Sequence, residues 1–460
     1  MPVLSPTQLK QELFSLADAG RLQRGRFFRN VLLVMSGTGA AQLLGLLLAP
    51  LLSRLYAPVD FGLYGSFLSV IGILSSGLTL QYYEALMLPK RDEQAAALFL
   101  AGCFSALVLS LTIGSVIFFL PAAFWSVLKT PGLGRWIWLA PLAALTICFN
   151  QMLIAWCSRR KAFHRTATMQ VVRSLTANSS QAAAGFARWG GVGLLGGNMS
   201  GEFIGGLLLW VWVLRRDARL LKNCFQFQHL LAAARSYRDF PLFSTPQNVL
   251  NAVAQGAPVL LLIHFYGAAI AGLYAFAVRV LQVPMNFVLT SLRQVLFQKF
   301  SELEHSGVAL EPWFARCTLG LLLAALGPTL LGILLAPWAF ALVFGQPWHT
   351  AGECARWLLL WFLPAFCNVP SVLLARILRR QKNLLLYDLC LTSTRIAVLI
   401  GCGSRFSALT TIAVFSIVGA LFNSLLIVWA WRLTRTHDRT HTPASPPLGD
   451  PRESMPSPQP

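Results

Sequence analysis

Long apolar runs broken by short polar segments set the pattern of this chain. About twelve runs are legible, over 30–53, 61–83, 95–120, 136–157, 168–187, 192–214, 242–264, 269–292, 314–336, 355–378, 384–401 and 409–431. Each approaches the roughly 20 apolar residues that a helix needs to cross the hydrocarbon core of a bilayer. The runs are too long for ordinary buried strands and lack the apolar/polar alternation of membrane barrels. The pattern predicts an all-α polytopic membrane protein of about twelve transmembrane helices.

The spacing of certain residues recurs. In "RLYAPVDFGLYGSF" Tyr56 is followed after five residues by Gly62-Leu63-Tyr64, and in "FYGAAIAGLYAF" Tyr266 is followed after five by Gly272-Leu273-Tyr274. An Ala-Pro pair precedes each copy, Ala49-Pro50 and Ala257-Pro258. The offset spans six runs and a linker, so both copies enter the membrane in the same direction, as in parallel repeats related by an axis along the membrane normal. The expected organisation is a cytoplasmic N-terminal segment (1–28), a first six-helix bundle (29–214), a basic cytoplasmic linker (215–240), a second six-helix bundle (241–432) and a disordered cytoplasmic tail (433–460). Such architectures place the substrate path between the two halves. Within the first segment, Leu9, Leu13, Phe14 and Leu16 have the spacing of a short surface helix.

Composition agrees with a membrane solvent. Apolar residues make up 56% of the chain and charged residues 12%, with a mean hydropathy of +0.61. Soluble proteins carry about 25% charge. The net charge of +20 resembles a nucleic-acid signal until its distribution is considered. Arg24, Arg26 and Arg29, Arg159 to Lys161, Arg215, Arg216, Arg219 and Lys222, Arg379, Arg380 and Lys382, and Arg432 and Arg435 fall in alternate breaks. The intervening breaks hold only Arg54, Lys129, Arg135, Arg188 and Arg405. This asymmetry follows the positive-inside rule, places both termini in the cytoplasm and makes the bilayer, not nucleic acid, the partner.

No cofactor or metal is expected. The nine cysteines are scattered, with no closely spaced pair of the kind that holds zinc. Gly191-Val192-Gly193-Leu194-Leu195-Gly196 matches the dinucleotide fingerprint, but it falls between two predicted spans, where a tight turn is expected, and the fingerprint needs a strand before it. Gly197, Gly201 and Gly205 follow at every fourth residue, the pattern that lets helix backbones approach closely. There is no P-loop, nucleophile elbow or metalloprotease motif. The chain is therefore read as a non-enzyme.

Ionisable groups inside spans are costly and mark cavities or partners. Arg279, Gln282 and Asn286 form one polar stripe; Asn248, Asn251 and Gln255 form a second; Asp388 and Arg395 share a third. Arg173 and Glu202 are their counterparts in the first half. These residues are therefore candidate cavity groups, with Glu202 and Asp388 as candidate coupling carboxylates and Glu84 at the cytoplasmic gate. The alternative for Arg173 and Glu202 is a structural pair between helices. Pro258 and Pro284 interrupt two stripe-bearing spans and permit kinks.

The stretches "PLLSRLYAPVDFGLYGSF", "YYEALMLPKRDEQAAAL", "AGLYAFAVRVLQVPMNFVLTSLRQVLFQKFSEL" and "VFGQPWHTAGECARWLLLWFLP" resemble the Wzx-like oligosaccharide flippases of the multidrug/oligosaccharidyl-lipid/polysaccharide exporter superfamily. The resemblance runs from about residue 28 to 432. It implies two pseudo-symmetric six-helix bundles around a central cavity, in a bacterial inner-membrane protein that moves an undecaprenyl-diphosphate-linked oligosaccharide to the outer leaflet by alternating access. The arginines of the stripes would suit its diphosphate and the amides its sugar hydroxyls. It also implies a polysaccharide polymerase and a chain-length regulator as partners. Three alternatives stay open from the residues: a multidrug or small-cation exporter of the same superfamily, a membrane-embedded glycosyltransferase or polymerase, and a non-transporting scaffold.

Overall fold

The structure, a computed structural model, describes residues 37, 39–119 and 136–441. Among the described residues there are fifteen α-helices and no strand. They are α1 (Ala49–Leu55), α2 (Pro58–Leu78), α3 (Tyr82–Ala85), α4 (Asp92–Phe119), α5 (Ala140–Arg159), α6 (Phe163–Phe186), α7 (Gly191–Cys224), α8 (Phe227–Ser236), α9 (Thr245–Tyr266), α10 (Ala268–His305), α11 (Glu311–Phe344), α12 (His349–Cys367), α13 (Val369–Ile377), α14 (Gln381–Gly403) and α15 (Ala408–His441). The all-α polytopic class expected from the runs is the class observed.

Ten helical segments among the described residues are long and apolar enough to cross a membrane. Two of the twelve expected runs are not among them. Residues 30–53 lie partly outside the described residues. The other is α6, whose 24 residues reach about 36 Å at 1.5 Å per residue. Its composition is unlike the others, because Gln170, Arg173, Asn178 and Gln181 interrupt its apolar surface.

The chain divides into two compact units, one of residues up to 283 with 340–351, the other of 284–339 with 352 onward. This division by contact is distinct from the sequence halves on either side of 215–240. The chain leaves the first unit at Pro284, inside α10, and re-enters it just after Pro337, inside α11.

In the first unit α6 and α7 lie backbone against backbone. A Cβ on Gly197 would come within 2.5 Å of Gln181 Cγ, one on Gly201 within 2.6 Å of the Arg173 carbonyl oxygen, and one on Gly205 within 3.1 Å of Arg173 Cβ. Gly193 continues the row, 2.7 Å from Ala184 Cβ and from the Tyr56 hydroxyl. Larger side chains at these positions would separate the helices, so the glycine stripe is a packing surface.

The start of α7 contains the apparent dinucleotide fingerprint. Its glycines lie in the first turns of the helix, not in a tight turn as expected. No strand precedes it, and its N-terminus is already occupied by a carboxylate. Gly191 N–H donates to Asp60 Oδ1 at 2.7 Å, and the other Asp60 oxygen accepts the Ala57 N–H at 3.0 Å, at the start of α2. One side chain thus satisfies orphan donors of two helices, and Gly190 turns the chain there with φ +59°, a conformation that glycine adopts without strain.

The two copies of the repeated motif meet each other. A Cβ on Gly62 would overlap the carbonyl oxygen of Ala268, and one on Gly272 would overlap that of Pro58. Gly62 and Gly272 are equivalent in the repeat, as are Pro58 and Ala268, so the contact is reciprocal, the signature of a two-fold interface. Beside it Phe61 and Phe276 meet edge to face at 5.2 Å, and both pack on Trp348 at 5.1 and 4.2 Å. The Trp348 indole N–H donates to the Ser53 carbonyl at 2.9 Å, which ties α1 to this aromatic cluster.

The second unit has its own core, built on Phe300, Phe314, Leu303, Leu374 and Ala430. Here the tail expected to be disordered from 433 needs correction. Helix α15 continues to His441, and the Asp438 carboxylate accepts the Leu310 and Glu311 N–H groups at 2.9 and 2.7 Å. That double acceptance caps the start of α11 and holds the extension in place. Residues 442–460 and the surface helix expected around Leu9 to Leu16 lie outside the described residues.

The reciprocal glycine contact carries a prediction. Gly62→Ala and Gly272→Ala should each destabilise the purified protein by about 4 kcal/mol or more, because backbone must move. Gly72→Ala, with nothing within 4 Å, should stay within about 1 kcal/mol of wild type. Thermal unfolding in detergent measures both, and equal shifts for all three would remove the contact's importance.

Candidate functional site: a cationic, amide-lined cavity

A cavity of about 260 Å³ lies within the first unit. Its walls come from the helical run before α1 (Gln42, Gly45), from one face of α6 (Gln170, Arg173, Ser174, Asn178, Gln181), from Asn198 on α7, and from Phe276, Arg279, Val280 and Val283 on α10. The α6 residues recur at steps of three and four and so share one face.

The local chemistry orients this face. Tyr56 donates its hydroxyl proton to the Gln181 carbonyl at 2.6 Å, and Gln181 Nε2 donates to the Leu194 carbonyl at 3.0 Å. Burial, with the Asp60 carboxylate second, pushes the Tyr56 phenol up to about 12, so it remains a donor throughout the physiological range. Ser174 Oγ donates to the Ala41 carbonyl at 2.8 Å, and Asn178 Nδ2 donates to the Ser174 carbonyl at 2.7 Å. Asn178 is only 5% exposed, yet its Oδ1 has no hydrogen-bond partner among the described residues. A buried acceptor left in this way costs about 1–3 kcal/mol unless water or a ligand meets it.

Two of the expected arginines converge here. Arg173 Nη1 lies 2.5 Å from Glu202 Oε1, while Asn150 Nδ2 donates to Glu202 Oε2 at 2.8 Å. Glu202 is 7% exposed and does not line the cavity; Arg173 covers it. The pair therefore neutralises itself, and the remaining donors of the Arg173 fork are left for the cavity. Arg279 approaches from α10, with its Nη2 3.6 Å from where a Gly45 Cβ would lie. No carboxylate among the described residues is within ion-pair distance of Arg279. Among the described residues Arg279 is thus a cavity cation without a carboxylate partner, a costly feature within an apolar run.

The other candidates lie elsewhere. Gln282 is half-buried on α10 without lining the cavity, and Asn286 is exposed beyond Pro284, in the second unit. On α9, Asn248 and Asn251 are half-buried and Gln255 is exposed. That helix meets α2 through Val249, Gly256 and Val259 instead. Arg395 is 9% exposed, its guanidinium clamped between Trp361 at 3.6 Å and Phe415 at 3.7 Å. Such stacking contributes about 2 kcal/mol when desolvated. Asp388, also in the second unit, is half-buried, and Glu84 is exposed on α3. No group of three metal-ligating side chains occurs among the described residues.

Sequence reasoning missed Gln42, Gln170, Ser174, Asn178 and Gln181. The signal was present in α6, where polar residues recur at helical steps on the least apolar of the expected spans.

A family model described as "Polysaccharide biosynthesis protein" matches residues 51–353. No curated relative matches the chain. Among solved structures, the fold is similar to the lipid II flippase MurJ in an inward closed conformation, at TM-score 0.67 and 11% identity over 89% of this chain and 91% of that one. It is similar to an inward-facing multidrug resistance MATE family transporter of the MOP superfamily, at TM-score 0.62 and 14% identity over 90% and 95%. It is also similar to a MOP superfamily transporter from Pyrococcus furiosus, described as having a binding pocket of reverse polarity, at TM-score 0.56 and 14% identity over 91% and 96%.

The Arg173–Glu202 pair generates the site's own test. Arg173→Ala should cost about 3 kcal/mol in thermal unfolding, because it leaves a buried carboxylate uncovered. Adding Glu202→Gln should recover at least about 1 kcal/mol of that loss in a double-mutant cycle. Strict additivity of the two changes would contradict the pairing.

Proposed function

The chain belongs to the polysaccharide biosynthesis protein family, and on that premise we propose that it flips a lipid-linked oligosaccharide across the membrane. The substrate in this reading is an undecaprenyl-diphosphate-linked repeat unit, bound by its diphosphate and moved to the outer leaflet of the bacterial inner membrane. It is a carrier, not an enzyme, with both termini in the cytoplasm. The observation that carries the proposal is Arg279, a cavity cation with no carboxylate partner among the described residues.

In this mechanism Arg279 and the free donors of Arg173 hold the diphosphate oxygens, for which a planar guanidinium fork is well matched. Asn178 Oδ1, Gln170 and Asn198 accept from or donate to the hydroxyls of the first sugar. The cavity volume of about 260 Å³ suits this headgroup portion, while the isoprenoid chain remains in lipid. Gln282, Asn248, Asn251 and Gln255, all of the first unit, are assigned in this reading to the path beyond the cavity. Alternating access would bend α10 at Pro284 and α11 at Pro337, where loss of a backbone hydrogen bond lowers the cost of kinking. For ion coupling this reading assigns Asp388, since Arg173 covers Glu202.

The similarity to a lipid II flippase supports this class of substrate. The similarity to multidrug transporters supports the rival, a cation exporter. An exporter of cations needs an open carboxylate, and the carboxylate behind this cavity, Glu202, is covered by Arg173. The cavity polarity favours an anion.

Flipping in proteoliposomes tests the proposal. Undecaprenyl-diphosphate oligosaccharide placed in one leaflet should become accessible to an external glycosidase when the wild-type protein is present. Arg279→Ala should slow this at least about tenfold, the loss of one charge-assisted contact, while keeping the wild-type thermal transition. Transport of cationic dyes without lipid flipping would overturn the reading in favour of the exporter.

A further inference from the structure

A second cationic site lies on the first unit, away from the cavity. Arg165, at the start of α6, and Arg216, on α7, both stack on the Trp212 indole, with guanidinium carbons 5.8 and 5.4 Å from its centroid. Both arginines are exposed and Trp212 is half-buried. No carboxylate among the described residues is within ion-pair distance of either. The neighbouring Asp217 does not serve, because it is 7% exposed and faces inward. Arg160 Nη2 holds it at 3.0 Å and the Trp156 indole N–H donates to it at 3.0 Å. Two like charges are therefore gathered on one ring with no carboxylate among the described residues to offset them.

The surroundings identify what would offset them. Ile204, Leu208 and Val211 recur at steps of four and three on α7, are all exposed, and form an apolar strip that runs toward Trp212 and Arg216. A tryptophan at the end of an apolar strip, beside exposed arginines, has the composition of the membrane–water interface. Paired guanidinium groups suit phosphate oxygens, and an exposed strip of this kind suits an acyl chain.

We propose that Arg165, Trp212 and Arg216 form a binding site for an anionic phospholipid of the surrounding bilayer. The headgroup phosphate bridges the two arginines and one acyl chain lies along the α7 strip. This inference does not depend on what the central cavity carries. The bound lipid would pin the start of α6 to α7, and so steady the helix that lines the cavity.

Native mass spectrometry of the full chain in detergent, with phosphatidylglycerol and phosphatidylcholine as probes, tests the site. Wild type should prefer phosphatidylglycerol by at least about fivefold, and Arg165→Gln/Arg216→Gln should reduce that preference to less than about twofold. Arg405→Gln, at an exposed arginine of the second unit, should leave it unchanged. Should the double variant fail to fold, Trp212→Leu keeps both charges and should still weaken the preference about threefold. An unchanged preference in the folded variants overturns the site. Displacement of phosphatidylglycerol by equimolar undecaprenyl diphosphate overturns the resident-lipid assignment and makes it a port for a transported lipid. Displacement by millimolar inorganic phosphate overturns it in favour of a free-anion site.

Discussion

Four glycines, each four residues from the next, bring the backbone of α7 against α6, and the site depends on that approach. At the Gly201 and Gly205 positions the nearest atom belongs to Arg173 itself. The separation of the two helices therefore decides whether the Arg173 side chain reaches Glu202. With the helices in contact, the carboxylate is covered and the guanidinium faces the cavity. With a methyl group between them, the pair would separate and a buried charge would stand alone. The same approach brings Gln181 under the Tyr56 hydroxyl and leaves Asn178 lining the cavity.

A second close contact joins the two copies of the repeat. Gly62 and Gly272 each meet the residue that precedes the other by four positions in the repeat frame. The aromatic cluster of Phe61, Phe276 and Trp348 fills the space beside it. This contact sets where the first part of α10 lies, and with it Arg279. The two cationic groups of the cavity are thus placed by two separate glycine contacts, one between adjacent helices and one between repeat copies.

Much of this was legible in the chain because membrane folding leaves few choices. Apolar runs of span length become helices, and small residues at steps of four mark where helices touch. Arg173 and Arg279 could be singled out because ionisable groups within apolar runs are rare. Arg395 has the same sequence signature, yet Trp361 and Phe415 enclose it; the aromatic partners come from α12 and α15, and no local pattern announces them. The amides of α6 escaped notice because Asn and Gln carry no charge and the run around them reads simply as less apolar. The tail beyond 432 reads as a disordered polar stretch, whereas one carboxylate, Asp438, finds two backbone donors more than a hundred residues away and extends the helix.

The account rests on an anionic headgroup occupying the cavity between α6 and α10. The most direct measurement is photo-crosslinking with an undecaprenyl-diphosphate oligosaccharide that carries a diazirine on its first sugar, followed by mass spectrometry of the labelled peptides. The account predicts adducts within 170–181 and 276–283, competed by unlabelled lipid and reduced in Arg279→Ala. Adducts confined to the lipid-facing surfaces of α11 and α14, with none in those two segments, would contradict it.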